Sequence, residues 1–285
     1  VQHFDNYLLI MRIGVFDQWG AQNSQSVWPA LYQGIARLGH SAVSHDWDAD
    51  MAVIWSLVWS GRMRSNQQVW QHYRQRSRPV LVIEVGTLCR GHTWKLGING
   101  LGSGAFWGRE QDPLRPQRMA VQLRPWREPG SDVVIVLQRD DSEQWQGLPP
   151  TAEWLMQVIA NLRQYTDRPI HIRPHPRRAT PDIPGVIVDR PQRSAGTYDD
   201  YDLDTSLSRA WAVINVNSGA GVNAVIRGTP LFAHASSLAA PVAGLDWSQI
   251  EQPRRPDRDQ WFQYLCHTEW TLPEIASGQA LTRLL

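Results

Sequence analysis

Apolar positions fall into short continuous runs separated by stretches with helical spacing, and this alternation occurs twice along the chain. Arg12–Phe16 reads as a strand, followed by a polar loop over 17–26. Val27–Leu38 then places Val27, Leu31, Ile35 and Leu38 on one helical face, with Ser24 or Ser26 as N-cap and Gly39 as the stop. Ala42–Ser44 and Met51–Trp55 are further strands, and Asn66–Arg76 is a helix carrying Val69, Trp70 and Tyr73 on one side. Val80–Glu84, after Pro79, is the unbroken run expected of a strand buried on both faces. Glycine then punctuates 86–108, and proline and arginine dominate 110–130. These segments read as a long functional loop and an interdomain linker.

The second round opens with Asp132–Leu137, an apolar strand. After a polar loop comes a helix over Thr151–Tyr165, with Trp154, Leu155, Val158, Ile159 and Leu162 on one broad face. Ile170–Arg173 and Val186–Val188 are short strands. Leu203–Ala210 is a helix and Trp211–Val216 a buried strand. A glycine-rich turn opens a helix at Val222–Arg227, and Gly228 and Pro230 lead into the strand Leu231–Ala233. The tail over 256–285 reads as two helices that pack back on the domains. The expected architecture is α/β, with two Rossmann-like domains, 1–125 and 126–255, facing a central cleft at the carboxyl ends of their strands.

Composition sharpens this picture. The 285 residues are 42% hydrophobic and include 15 Trp, enough for a sizeable core and against a disordered chain. Basic and acidic residues number 28 and 27, so net charge by itself does not argue for nucleic acid. Lys95 is the only lysine, which leaves 27 arginines, and arginine binds phosphate through a planar fork. Apolar runs such as Tyr7–Met11 and Val80–Ile83 fall far short of the about 20 residues of a membrane span. The N-terminus has no secretory-signal pattern. Cys89 and Cys266 have no metal-ligand spacing, and a reduced cytoplasm is the expected compartment.

Two segments carry chemistry. In Arg173-Pro174-His175-Pro176-Arg177-Arg178, two prolines hold a histidine extended among arginines just after a strand, an arrangement suited to phosphate. In Asn217-Ser218-Gly219-Ala220-Gly221-Val222-Asn223, a strand gives way to a helix whose first N–H groups face any anion placed there. Asp48-Ala49-Asp50 has the spacing of a metal-binding acidic pair, but it precedes a strand instead of following one, and no metal is expected. The acidic stretch Asp199–Asp204 reads as a solvated loop or helix start.

The His-Pro pair, followed by a strand, Ser218-Gly219, a helix and Gly228-Thr229-Pro230, resembles the nucleotide-sugar half of GT-B glycosyltransferases. It is most similar to bacterial capsule and sialic-acid transferases with a His-Pro and a Ser motif, over about residues 130–245. The resemblance implies a GT-B-like enzyme that uses a nucleotide sugar, expected to be a UDP-sugar, with no bound cofactor. Arg173, His175 and Arg177 would contact the donor phosphates, with Asn217, Ser218 and Gly219 at the helix N-terminus. Many relatives hold the donor ribose with a carboxylate, where this chain has Asn223.

More loosely, the layout resembles virus-encoded proteins and the phage enzymes that glucosylate 5-hydroxymethylcytosine in DNA. That likeness implies double-stranded DNA with a hydroxymethylated pyrimidine as acceptor, within a host cytoplasm. A capsule or lipopolysaccharide acceptor is the alternative, and a non-catalytic nucleotide- or nucleic-acid-binding protein is the reading from another class. An inverting, metal-independent transferase needs a base near the acceptor hydroxyl. Glu84 is the first candidate, Asp17 the second and His92 the third. Arg90, Trp94, Trp107, Arg109 and Arg127 could line an acceptor surface, binding DNA phosphates and bases or sugar rings. The same residues could equally fold the linker over the first domain.

Overall fold

The computed structural model describes residues 10–109, 112–128, 130–178, 183–197 and 200–285. Residues 7–9 of the apolar run Tyr7–Met11, parts of the 110–130 linker, and Asp199 of the acidic stretch lie outside the described residues.

The first round of the pattern builds β1 (Arg12–Val15), α1 (Val27–Arg37), β2 (Ser41–Ser44), β3 (Met51–Trp55), α2 (Asn66–Gln75) and β4 (Val80–Val85). β2, β1, β3 and β4 pair in that order, all parallel. β3 is buried along its whole length, as its unbroken apolar run requires.

The glycine-rich segment departs from expectation. It contains β5 (Thr93–Ile98), a fully buried strand antiparallel to β4. Gly97 inside it hides the strand signature, and the fold explains the glycine. A Cβ there would lie 2.4 Å from the Gly100 carbonyl and 2.9 Å from the Trp107 ring. A short helix, α3 (Arg115–Arg118), follows.

The second sheet comprises β6 (Asp132–Val136), β7 (Ile170–Arg173), β8 (Ile187–Val188), β9 (Ala210–Asn215) and β10 (Leu231–Ala233). Its order is β10-β9-β6-β7-β8, parallel throughout, so the chain reverses direction across the sheet between β6 and β9. In such sheets the crevice at the reversal is the usual ligand site. α4 (Thr151–Leu162), α5 (Leu203–Ser208) and α6 (Gly219–Ile226) connect the strands. α6 begins three residues before the expected start, because Gly219, Ala220 and Gly221 are its first turn and not a turn preceding it.

The tail holds α7 (Asp259–Cys266), β11 (Glu269–Thr271), α8 (Leu272–Ala276) and α9 (Gln279–Leu284), in place of the two helices expected. β11 pairs antiparallel with β5 and becomes the edge of the first sheet. Three residues are too few to show strand alternation in a sequence. α8 settles on α1 at Gly34, where a Cβ would sit 2.1 Å from the Ile275 carbonyl oxygen. Ile275, Leu281 and Leu284 join the apolar cluster of Leu31 and Ile35. A second cluster spans both sheets, from Ile54 and Val82 through Val134 and Val213 to Trp261 and Leu265.

Arg115 pins this tail. Its guanidinium donates to the Cys266 carbonyl at 2.6 Å and to Glu274 at 2.6 Å, and it stacks over Trp270 at 3.9 Å. Glu274 also completes a capping box with Thr271. Burial alone would raise the Glu274 carboxyl. Hydrogen bonds from Arg115 and the Thr271 N–H, with the Arg115 charge, hold it below its usual range. A carboxyl depressed in the folded state stabilises the fold above the unfolded-state pKa. That contribution disappears as pH falls through the lower, folded value. Melting temperature should therefore fall more steeply with acid in the native chain than in Glu274→Gln, measured by circular dichroism from pH 6 to pH 3.

Candidate functional site

The two sheets present the carboxyl ends of their strands to a shared cleft of about 570 Å³. Its first wall carries Ser56 after β3, Glu84 at the end of β4, Thr87 and Arg90 in the loop that follows, and Lys95 on β5. Its second wall carries Gln138 and Arg139 after β6, the Arg173–Arg177 segment after β7, and Asn217, Ser218, Gly219 and Asn223 around the start of α6.

The walls are braced to each other. Arg139 grips Asp141 through two hydrogen bonds at 2.9 and 2.7 Å and reaches Ser60 of the first half. Trp59 N–H donates to the Asp141 carbonyl at 2.8 Å, and Glu143 N–H to Leu57 at 2.9 Å. Burial alone would raise the Asp141 carboxyl, but hydrogen bonds from Arg139, Arg178 and Ser60 hold it well below the usual carboxylate range. On the other side, Thr87 meets the first residue of α6. A Cβ on Gly219 would lie 2.6 Å from Thr87 Oγ1, so glycine is what allows the two walls to close at that point.

Each donor-side residue has a definite place. His175 Nδ1 accepts a hydrogen bond from the Arg177 N–H at 3.2 Å, so a neutral ring carries its proton on Nε2. Ser218 is the N-cap residue of α6, and its hydroxyl accepts from Asn215 at 2.9 Å instead of capping the helix. The Ser218 side chain therefore occupies none of the first N–H groups of α6, whose residues Gly219 and Ala220 line the cleft. Asn223 is half-buried on the next turn and lines the cleft.

Two of the expected phosphate ligands serve the frame. Asn217 exchanges hydrogen bonds with Gln138 at 2.8 and 3.0 Å and donates to the Gln144 carbonyl and to Ser236. It holds the loops after β6, β9 and β10 together at the cleft edge. Arg173 is buried and donates to Ser206 at 3.0 Å and Asp202 at 3.4 Å, so its charge is partly spent on α5. Asp202 is the N-cap residue of α5 and Asp204 lies in its first turn, the helix start expected of this acidic stretch, and Asp204 also pairs with Arg227.

No family model and no curated protein sequence matches the chain. Solved structures do. KpsC of Thermosulfurimonas dismutans, a beta Kdo 2,4 transferase, aligns over 90% of this chain and 90% of its own, with a TM-score of 0.54 at 14% identity. The chain has a GT-B-like fold. A beta Kdo 2,7 transferase KpsC of the same organism aligns over 95% of this chain and 99% of its own, with a TM-score of 0.49 at 13% identity.

On this GT-B-like frame, several expected acceptor and base residues fall elsewhere. Trp94 and Trp107 are core residues, 6% and 1% exposed, and neither can stack on a base or sugar. Trp94 faces Trp270 across the β5–β11 pair. Arg127 is tied to the second sheet, donating to the Ala210 carbonyl at 2.8 Å, and its backbone N–H donates to Gly228. It fixes the linker. Arg109 and His92 are exposed outside the cleft lining. Asp17 accepts from Tyr32 at 3.0 Å and lies 3.5 Å from His45, also outside the lining. Of the base candidates Glu84 alone lines the cleft, and of the acceptor residues Arg90 does. Asp50 accepts from the Arg12 N–H at 2.7 Å, and with Asp48 it sits before β3, at the strand end away from the cleft. Among the described residues, no group of three or more His, Cys, Asp or Glu is placed to hold a metal, and no helix is long and apolar enough to cross a membrane.

Glu269 was invisible as a site residue. It is fully buried on β11, and its carboxylate accepts from the Thr87 N–H at 2.6 Å, the Leu88 N–H at 3.0 Å and Thr93 Oγ1 at 2.7 Å. It thereby shapes the loop that carries Thr87 to α6. Nothing near residue 269 in sequence links it to a loop more than 180 residues away.

Proposed function

We propose that the protein is a glycosyltransferase that moves a sugar from a nucleotide-sugar donor to a hydroxyl of a capsule-type surface glycan. One observation carries the reading. Glu84 lies on one wall of a cleft whose other wall bears the His175 segment and the start of α6. Donor phosphates fit against the α6 N–H groups, the His175 Nε2–H and Arg177. The nucleoside fits beside Asn223. The acceptor hydroxyl attacks the anomeric carbon, Glu84 takes its proton, and the nucleotide leaves with the bonding pair. Glu84 acting as base gives inversion, which the anomeric configuration of the product checks.

The likeness to a transferase of Kdo favours a glycan acceptor over hydroxymethylated DNA. The burial of Trp94 and Trp107 and the placement of Arg109 and Arg127 leave Arg90 as the one expected acceptor side chain in the cleft lining. The deciding experiment is mass spectrometry of products from UDP-sugars and activated Kdo with capsule-type oligosaccharides and hydroxymethylated DNA. Donor turnover with a glycan supports the reading, glycosylated DNA replaces the acceptor, and nucleotide binding without turnover of any donor leaves a binding protein.

Two expectations follow from the donor wall. His175→Ala should weaken nucleotide binding by about 1.5–3 kcal/mol, the loss of a hydrogen bond to a charged group, as measured by calorimetry with UDP. Equal affinities would remove the His-Pro segment from the donor site. Because N–H groups, His175 and Arg177 offset the phosphate charge, turnover should persist in EDTA. Turnover lost in EDTA and restored by Mg²⁺ or Mn²⁺ would overturn that.

A further inference from the structure

Lys95 stands apart from every other cation in the protein. It is the single lysine beside 27 arginines, and it is 8% exposed within β5. Its strand partners are both glutamates. Glu84 of β4 lies directly opposite on one side and Glu269 of β11 directly opposite on the other. Directly opposed residues point to the same face, so the three side chains stand abreast as carboxylate, ammonium, carboxylate. Glu269 is committed to Thr87, Leu88 and Thr93. Among the described residues Glu84 accepts only from the N–H of its neighbour Val85, at 2.8 Å, and it lines the cleft together with Lys95.

We propose that Lys95 is the positioning residue for Glu84, setting a positive charge directly beside the carboxylate that faces the acceptor. The proposal rests on the reading of Glu84 as the acceptor-side base. Among the described residues Lys95 forms no hydrogen bond or close ion pair with either glutamate, so it acts through its field without occupying the Glu84 oxygens. A short salt bridge would occupy those oxygens and cost them basicity. Arginine could not stand in without change, because its broad planar fork suits bidentate pairing and lysine is a compact point charge. The groups facing the pair are Glu269 on β11, Arg90 in the loop after β4, and Arg139 across the cleft. Burial lowers the Lys95 pKa, opposed by the charges of Glu269 and then Glu84, so the ammonium is held by the carboxylates it serves.

The test uses the full chain. Lys95→Met should move the acid limb of the kcat–pH profile upward by about one pH unit or more, because two neighbouring carboxylates lose the cation between them. UDP affinity should stay at its native value. Lys95→Arg should bring the limb most of the way back, since the charge returns. A limb unmoved in a Lys95→Met protein that still binds UDP would overturn the proposal. A second measurement needs neither turnover nor a mutant at Lys95. With ¹³C-lysine labelling the chain gives one lysine side-chain spectrum, and its shift should follow pH through the carboxylate range. The part of that step due to Glu84 should vanish in Glu84→Gln, leaving only the response to Glu269. A lysine signal indifferent to Glu84→Gln refutes the pairing. If no donor is turned over while the signal senses Glu84, the pair stands and the transferase reading fails.

Discussion

Glu84→Gln is expected to lower kcat by about 10²–10⁴-fold, the usual contribution of a positioned general base, while leaving nucleotide affinity unchanged. The amide keeps the shape of the side chain at the end of β4 and its contact with Val85, but it cannot take a proton. The two measurements belong to different walls of the cleft. Glu84 extends from the first sheet, whereas the groups proposed to face the phosphates come from the segments after β7 and β9. Rapid-quench assays with a turned-over donor, beside calorimetry with UDP, separate them. If Glu84→Gln turns over at the native rate, the base is not Glu84. No other of the three base candidates lines the cleft, so a group from another element would have to supply it. If affinity and rate fall together, the mutation has disturbed the wall itself, and melting temperature would report that.

Much of this site could be read from the sequence, because its residues sit at the ends of strands that announce themselves. β3, β4 and β6 are buried on both faces and appear as unbroken apolar runs. Whatever follows such a run in a parallel sheet emerges at the carboxyl edge, which is why Glu84, His175 and Ser218 all line the cleft. The reading failed where the decisive partner is distant or the strand is atypical. β5 contains a lysine and a glycine, both poor strand signals, and each is explained only by neighbours: Lys95 by Glu84 and Glu269, Gly97 by Trp107. β11 lies in a tail that joins the first sheet after the entire second sheet has been made.

The aromatic residues show the same limit from the other direction. Tryptophan beside arginine and glycine suggests a stacking surface, yet the pattern does not say which side of the ring meets solvent. Arg115 over Trp270, Arg168 over Trp211 and Arg258 over Trp126, at 3.9, 3.7 and 3.7 Å, are all stacks within the protein. In these three pairs arginine and tryptophan hold linker, tail and sheets together.

Trp107 allows that distinction to be measured. Its ring is fully buried in the cluster that spans both sheets. Its indole N–H donates to the Gly102 carbonyl at 3.2 Å, its own carbonyl accepts from Arg283 of α9 at 3.2 Å, and Gly97 leaves space for the ring. Trp107→Ala should therefore cost about 3–5 kcal/mol of stability, the range for deleting a buried large aromatic. An acceptor-stacking residue would behave in the opposite way. Its removal would raise the acceptor KM by about five- to 150-fold, since a lost stack is worth about 1–3 kcal/mol, with little change in unfolding. Urea unfolding followed by tryptophan fluorescence reads the first quantity, and steady-state kinetics of any folded Trp107→Ala protein reads the second. A variant that unfolds at the native urea midpoint but has lost acceptor affinity would return Trp107 to the binding surface. It would also reopen the stacking role of the whole glycine-rich segment. The milder Trp107→Phe, which keeps most of the ring volume and loses only the N–H bond, should fall between native and Trp107→Ala in stability and match the native protein in acceptor KM.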